Sequence, residues 1–182
     1  MDLSAFRALA APVGPVRVIG AIGRLDDQKG FDILVRAFRR TTNPGIALHI
    51  YGEGAQEGRL RALAEDDPRI LFKGFAPEPV AAMAAVDAVA MPSRWEAYGL
   101  VAIEALAAQR PLLVNGIDGL SDHVPNGARQ VAGQDVQSWQ EALETLTDVN
   151  APASQTLAEN SASPERVFET AWVALLNRAR LG

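Results

Sequence analysis

Short runs of apolar, often β-branched residues alternate with longer runs of helical character along most of this sequence, and that alternation leaves few folds open. Val16-Arg17-Val18-Ile19-Gly20-Ala21-Ile22 is nearly continuous in apolar character, as strands buried on both faces are. A loop from Gly23 to Gly30 leads to a predicted helix, Phe31 to Arg40, with Phe31, Leu34, Val35 and Phe38 on one face. Pro44-Gly45 breaks the chain before a second predicted strand, Ile46 to Tyr51, and Gly52-Glu53-Gly54 turns into a helix from Gln56 to Glu65. A third strand, Arg69 to Phe72, is followed by an alanine-rich helix from Pro79 to Val86 and a fourth strand from Asp87 to Met91. Leu100 to Gln109, free of Gly and Pro, predicts a helix, and Pro111 to Val114 a fifth strand. A short helix from Gly119 to Val124, a sixth strand from Ala128 to Val131 and a helix from Asp135 to Thr147 follow. After a polar break, Ala151 to Ser163, a last helix is predicted from Pro164 to Arg180. Regular alternation of this kind predicts an α/β fold: a Rossmann-like, doubly wound parallel sheet of five to six strands with helices on both faces. The chain's 182 residues suffice for one such domain with a proper core.

Composition narrows the function classes. With 48% hydrophobic and 21% charged residues the chain has the balance of an ordinary globular protein. A net charge of −5 argues against a general nucleic-acid or anionic-membrane surface, while leaving room for a local basic pocket. There is no cysteine, which excludes disulfides, thiolate metal sites and cysteine nucleophiles, and fits a cytoplasmic setting. No apolar run approaches the ~20 residues of a membrane span, so no membrane insertion by this chain is expected. The start, Met1 to Arg7, lacks the basic-then-apolar pattern of a signal peptide. With only two histidines, a His-based metal or catalytic centre is not expected. His49, alternating with apolar neighbours, reads as a satisfied core residue, and His123, at a helix start, as exposed. Trp139 and Trp172 read as core, whereas Trp95 is open between walling a sugar site and packing under its loop.

Open parallel sheets hold ligands outside the carboxyl ends of their strands, and the candidate residues gather there. Gly23, Arg24 and Lys29 follow the first strand, Gly52 and Gly54 the second, Gly74 and Phe75 the third, Glu96 the fourth, and Gly116-Ile117-Asp118-Gly119 the fifth. Two cations in the loop Gly23 to Gly30 suit a diphosphate, Arg24 offering a fork and Lys29 a point charge. On that loop alone the simpler alternative is an exposed segment balanced by Asp26 and Asp27. No Walker pattern is present, and Gly20-Ala21-Ile22-Gly23 is too fragmentary for a dinucleotide fingerprint. The stretch Pro92 to Ala107 carries Glu96 on a loop and Glu104 on a helix whose start offers unpaired N–H groups and a positive dipole end. Glu104 is the only charge between Leu100 and Ala108, and burying it is costly unless something hydrogen-bonds it, as a sugar's vicinal hydroxyls would. A glutamate on the wet edge of the helix is the other reading.

Three segments together carry a resemblance: Gly23-Arg24-Leu25 with Gln28-Lys29-Gly30-Phe31-Asp32; Tyr51-Gly52-Glu53-Gly54; and Pro92-Ser93 with Glu96-Ala97-Tyr98-Gly99 and Glu104-Ala105. In order and spacing they resemble the donor half of retaining GT-B glycosyltransferases, family 4 (group 1) above all. The resemblance implies that Arg24 and Lys29 grip the diphosphate of a UDP- or GDP-sugar donor beside Gly23 and Gly52. It implies that Glu96 is the catalytic-site carboxylate holding the sugar hydroxyls near the anomeric carbon, and that Glu104 holds the ribose diol. The amides around Tyr98, Gly99, Leu100 and Val101 would cap the phosphates, and Gly74-Phe75 would border the base. The resemblance implies no metal and no other cofactor; it also implies no separate strong base, since in such enzymes the leaving phosphate helps to deprotonate the acceptor during front-face attack.

Two local departures stand out. The family's Gly-Gly-x-x-Glu run is here Asp118-Gly119-Leu120-Ser121-Asp122, and its following Gly-Leu-Leu stretch is Ala128-Arg129-Gln130-Val131. A GT-B enzyme also has an N-terminal acceptor domain, joined through an Asn-Gly-Val-Asp turn. This chain opens Met1-Asp2-Leu3-Ser4-Ala5-Phe6, as though inside that turn, so residues 1–182 are expected to be an isolated donor-binding domain whose acceptor domain is missing. The implied parent is a cytoplasmic hexosyltransferase of cell-envelope polysaccharide synthesis, working at the inner face of the membrane on a glycan or lipid-linked acceptor. A non-catalytic nucleotide- or phosphosugar-binding module acting with a separate partner chain remains the alternative, and a GT-B-like epimerase or phosphorylase relative a weaker one.

Overall fold

Three residues of the first strand, Ile19 to Ala21, are fully buried, and the rest of the sheet is laid out around them. The computed structural model describes residues 2–147. The chain divides into two units, Met1–Ala151 and Pro152–Gly182, and all described residues belong to the first. The polar break at Ala151–Ser163, the expected last helix and Trp172 lie outside the described residues.

The strands are β1 (Val18–Ile22), β2 (Ala47–Tyr51), β3 (Ile70–Gly74), β4 (Ala88–Met91), β5 (Leu112–Val114) and β6 (Arg129–Gln130). They form one sheet in the order β3-β2-β1-β4-β5-β6, with every pairing parallel. The helices are α1 (Ser4–Arg7), α2 (Phe31–Arg39), α3 (Glu57–Ala64), α4 (Pro79–Ala84), α5 (Leu100–Ala107) and α6 (Val136–Thr147). The chain steps outward from β1 to β3, then returns to lay β4 on the other side of β1. The gap between the exits of β1 and β4 is therefore the topological switch point, where such sheets take their ligands.

Side chains of a strand alternate between faces, and both faces here are covered. Ile19 and Ala21 of β1, Leu48 and Ile50 of β2, Ala90 of β4 and Leu113 of β5 meet Phe31, Leu34, Phe38, Leu60, Trp139 and Leu143 of α2, α3 and α6. On the other face Val89 and Met91 of β4 and Leu112 and Val114 of β5 meet Leu3, Phe6, Met83, Ala102 and Ala105 of α1, α4 and α5 and their flanks. This two-sided burial is why the strands read as continuous apolar runs. Each large apolar side chain so buried contributes about 1.5–3 kcal/mol relative to leaving it exposed.

The expected six-strand parallel sheet is present, with differences at its margins. β1 begins at Val18 rather than Val16, because the Asp87 carboxylate accepts the N–H groups of Arg17 and Val18 at 2.9 and 2.8 Å. β3 runs on to Gly74, whose carbonyl accepts the Gly52 N–H at 2.8 Å after a register shift at Ile50/Tyr51. The helix expected at residues 119–124 is a 3-10 helix, Ser121–Asn126, in which Pro125 lacks an N–H for α-helical bonding. α1 is a four-residue helix without enough length for a periodic signal. Its Phe6 is buried, and the Ser4 N–H is taken by Asp2 Oδ1 at 2.9 Å.

One glycine sets the distance across the switch point. Gly30, before α2, has φ +65, and a Cβ there would lie 2.2 Å from the carbonyl oxygen of Pro92. Only glycine lets the start of α2 abut the exit of β4 this closely.

Candidate active site at the switch point

The loops leaving β1 and β4 are stitched together. The Arg94 N–H donates to the Gln28 carbonyl at 2.8 Å, and Gln28 Nε2 donates to the Trp95 carbonyl at 3.1 Å. The Arg94 guanidinium reaches the Asp27 carbonyl at 2.6 Å and both Asp32 carboxylate oxygens at 2.9 and 3.0 Å. Between the loops, Lys29 Nζ donates to Glu96 Oε1. The two side chains are only 16% and 9% exposed, and the buried Ser93 hydroxyl donates to the same carboxylate oxygen at 3.1 Å. The Lys29 stem runs over Gly23, where a Cβ would stand 3.2 Å from Lys29 Cε. A cation and a carboxylate predicted on separate loops thus meet at one point.

Arg24 does not join them. Its side chain is 77% exposed and pairs with Asp26 at 3.2 Å. The balanced, solvent-facing reading of the loop therefore describes Arg24, and the convergent one describes Lys29.

α5 starts beside this pair. Gly99 precedes it with φ +68; the Ala102 N–H turns back to the Gly99 carbonyl at 2.8 Å, and the N–H groups of Leu100 and Val101 have no intrahelical acceptor. Glu104 is one turn beyond Leu100 on the same side, and helical side chains lean toward the helix N-terminus, here toward the strand exits. Glu104 is half-buried, and burial raises its carboxyl pKa above the ordinary carboxylate value. Its carboxylate makes no hydrogen bond or ion pair among the described residues. The helix position thus falls between the two readings: neither fully wet nor satisfied by the protein itself.

The remaining predicted positions line the same edge of the sheet. The Gly23 N–H donates to the Tyr51 carbonyl at 3.0 Å and the Gly52 N–H to that of Gly74 at 2.8 Å, so the exits of β1, β2 and β3 form a continuous ledge. Phe75 stands exposed at its β3 end, and Trp95, Tyr98 and Leu100 stand exposed at the β4 end. Trp95, at 62% exposure, is not packed under its loop. Three strand spacings, about 14 Å, separate β3 from β4 along the ledge.

Three readings of single residues need correction or addition. His123 is buried rather than exposed, its Nε2 lying 2.7 Å from the Tyr98 carbonyl oxygen. His49 is not satisfied among the described residues: its Nδ1 is buried without a partner there, and burial, with Lys73 nearby, lowers its pKa. Asn115 adds a residue to the site, its one sequence signal being a lone amide that closes Leu112-Leu113-Val114. It is fully buried, donates to the Pro92 and Ser93 carbonyls at 2.8 and 2.9 Å, and accepts from Trp139 Nε1 at 2.8 Å.

Comparison with known proteins agrees with this architecture. Residues 16–148 match the model of the family described as glycosyl transferases group 1. The chain is 36% identical over 160 residues to a glycogen synthase of Mycobacterium tuberculosis, covering 82% of this chain and 38% of that protein. It is 34% identical over 185 residues to a D-inositol 3-phosphate glycosyltransferase of Corynebacterium urealyticum, covering 93% of this chain and 43% of that one. It therefore spans about two fifths of the length of these relatives. Among solved structures, S. aureus TarM in complex with UDP superposes with a TM-score of 0.72 at 23% identity, over 92% of this chain and 37% of that one. Anabaena HepE in complex with UDP and glucose superposes with a TM-score of 0.63 at 21% identity, over 87% of this chain and 47% of that one. A Rossmann-like sheet whose exits hold a Lys–Glu pair at the switch point, and a family match across nearly all of the described residues, lead to one conclusion: the chain belongs to the group 1 glycosyl transferases.

Proposed function

We propose that this chain is the nucleotide-sugar-binding domain of a retaining glycosyltransferase that transfers a hexose to a glycan or lipid-linked acceptor. The observation that carries this reading is the convergence of the Lys29 ammonium and Glu96 carboxylate beside the start of α5. A diphosphate lying there takes Lys29, the α5 amides and, after a swing of its exposed side chain, Arg24. The base extends along the ledge toward Gly74 and Phe75, the ribose diol reaches the Glu104 carboxylate, and the hexose hydroxyls meet Glu96. Leaving-group charge developing on the diphosphate is then met by Lys29, Arg24 and the amide dipoles, without a metal ion. No strong protein base is needed when the departing phosphate accepts the acceptor's proton. UDP and glucose in the HepE complex, and UDP in that of TarM, support a nucleoside diphosphate as the ligand class.

Transfer also requires the acceptor to be held against the anomeric carbon in a dry cleft, and orientation accounts for much of such a barrier. In this reading an acceptor-binding domain supplies the second wall, and the 182 residues alone bind donor without turnover. Calorimetry with UDP, GDP and ADP, each with and without an attached hexose, tests the proposal. Binding of one nucleotide series in the micromolar to millimolar range, with no glycosyl transfer by the chain alone, is expected. Absence of binding in all three series would refute the donor-site assignment, and transfer well above donor hydrolysis would refute the need for a second wall.

A further inference from the structure

We propose that the segment leaving β5, from Asn115 to His123, is a positioning element for the Glu96–Gly99 loop, with His123 aiming the first amides of α5. Asn115 grips the Pro92 and Ser93 carbonyls and is itself held by Trp139, all in the dry core. Gly119 presses on the next peptides, since a Cβ there would lie 2.4 Å from the Glu96 carbonyl oxygen and 2.9 Å from that of Ala97. Leu120 packs against Gly99, and His123 Nε2 lies 2.7 Å from the Tyr98 oxygen, its ring edge-on to the Tyr98 ring at 5.4 Å. A carbonyl can only accept, so Nε2 carries the proton.

The peptide linking Tyr98 to Gly99 is planar and trans, so its C=O and N–H point in opposite directions. Holding the Tyr98 oxygen with the buried His123 therefore fixes the direction of the Gly99 N–H on the other side. That N–H is the first of the set at the start of α5. The departure Asp118-Gly119-Leu120-Ser121-Asp122 thus gains a task that needs no contact with the sugar. Its glycine and leucine, with His123 next in sequence, set the backbone that carries Glu96 and opens α5.

For ligand binding the inference rests on the proposed diphosphate site, but the placement of His123 can be read without a ligand. In the unmodified chain, ring 15N shifts should report a proton on Nε2 of His123, and a ring protonated only on Nδ1 would overturn the assignment. His123→Phe keeps the ring and removes the donor, while His123→Gln restores an N–H. The Phe variant should displace the Gly99 and Leu100 amide resonances, and the Gln variant should return them toward their original positions. With the nucleoside diphosphate that the unmodified chain binds, His123→Phe should weaken affinity roughly fivefold and His123→Gln should recover most of it. Binding of the bare nucleoside should be unchanged. Unmoved Gly99 and Leu100 resonances, or equal losses for nucleoside and nucleoside diphosphate, would overturn the proposal. If the unmodified chain binds no nucleotide, the donor site fails while the amide shifts still decide the role of His123.

Discussion

Lys29 and Glu96 hold each other, so in the proposed reading a diphosphate that takes the ammonium must first displace a carboxylate. Glu96→Gln removes that competitor and should tighten UDP or GDP roughly three- to tenfold, while lowering the preference for the sugar-bearing nucleotide over the nucleotide alone. Calorimetric titration of both ligands checks the pair of signs. Unchanged nucleotide affinity would mean that Lys29 does not leave Glu96 on binding. Glu104 behaves differently, because its carboxylate is half-buried without a partner among the described residues and its pKa is raised by burial. A carboxyl group with a raised folded-state pKa costs stability once it ionises. The cost is absent below the ordinary unfolded value, grows as pH rises through the interval between the two pKa values, and is fully present above it. Glu104→Gln should therefore raise the melting temperature at pH 7 and give no gain near pH 3, as scanning calorimetry would record. The same variant should bind nucleoside diphosphate more weakly if Glu104 meets the ribose. A gain in stability with a loss of binding is the mark of a group retained for function.

At the scale of elements, the contact of α2 with the exit of β4 depends on Gly30. Gly30→Ala combines a left-handed backbone with a Cβ 2.2 Å from the Pro92 oxygen, and should destabilise the domain by more than about 2 kcal/mol in urea unfolding. A smaller loss would show that the two loops can part without cost. The inner strands β1, β2, β4 and β5 are legible in the sequence because both faces of a parallel sheet are buried there, which turns each into an apolar run, whereas the edge strand β6, Arg129–Gln130, is exposed at both residues. The ledge of Gly23, Gly52, Gly74 and Glu96 was legible for the same reason, since locating the strands locates their exits. The partnerships were not. Lys29 and Glu96 are separated by 67 positions, and Asn115 and Trp139 by 24, so nothing in local periodicity links them. His123 was misjudged because a histidine at the opening of a short helix has no local reason to be buried; the carbonyl that holds it belongs to the preceding loop.

At the scale of the whole molecule, the pairing of the site's cations bears on how a ligand arrives. The protein carries a formal net charge of −5, and Lys29 and Arg24 are neutralised at short range by Glu96 and Asp26. In the proposed reading a diphosphate meets two cations that are already paired, and its capture is expected to run near the pace of unsteered diffusion. Stopped-flow association rates should change little between 20 and 300 mM salt, where a steered encounter would slow steeply. Glu96→Gln, which uncovers a positive charge at the mouth of α5, should raise the rate at low salt and make it fall as salt is added. Release rates should move less than arrival rates in that variant. The ion pair at the switch point would then act as a throttle on capture: passing anions are drawn little from a distance, and are selected only after contact.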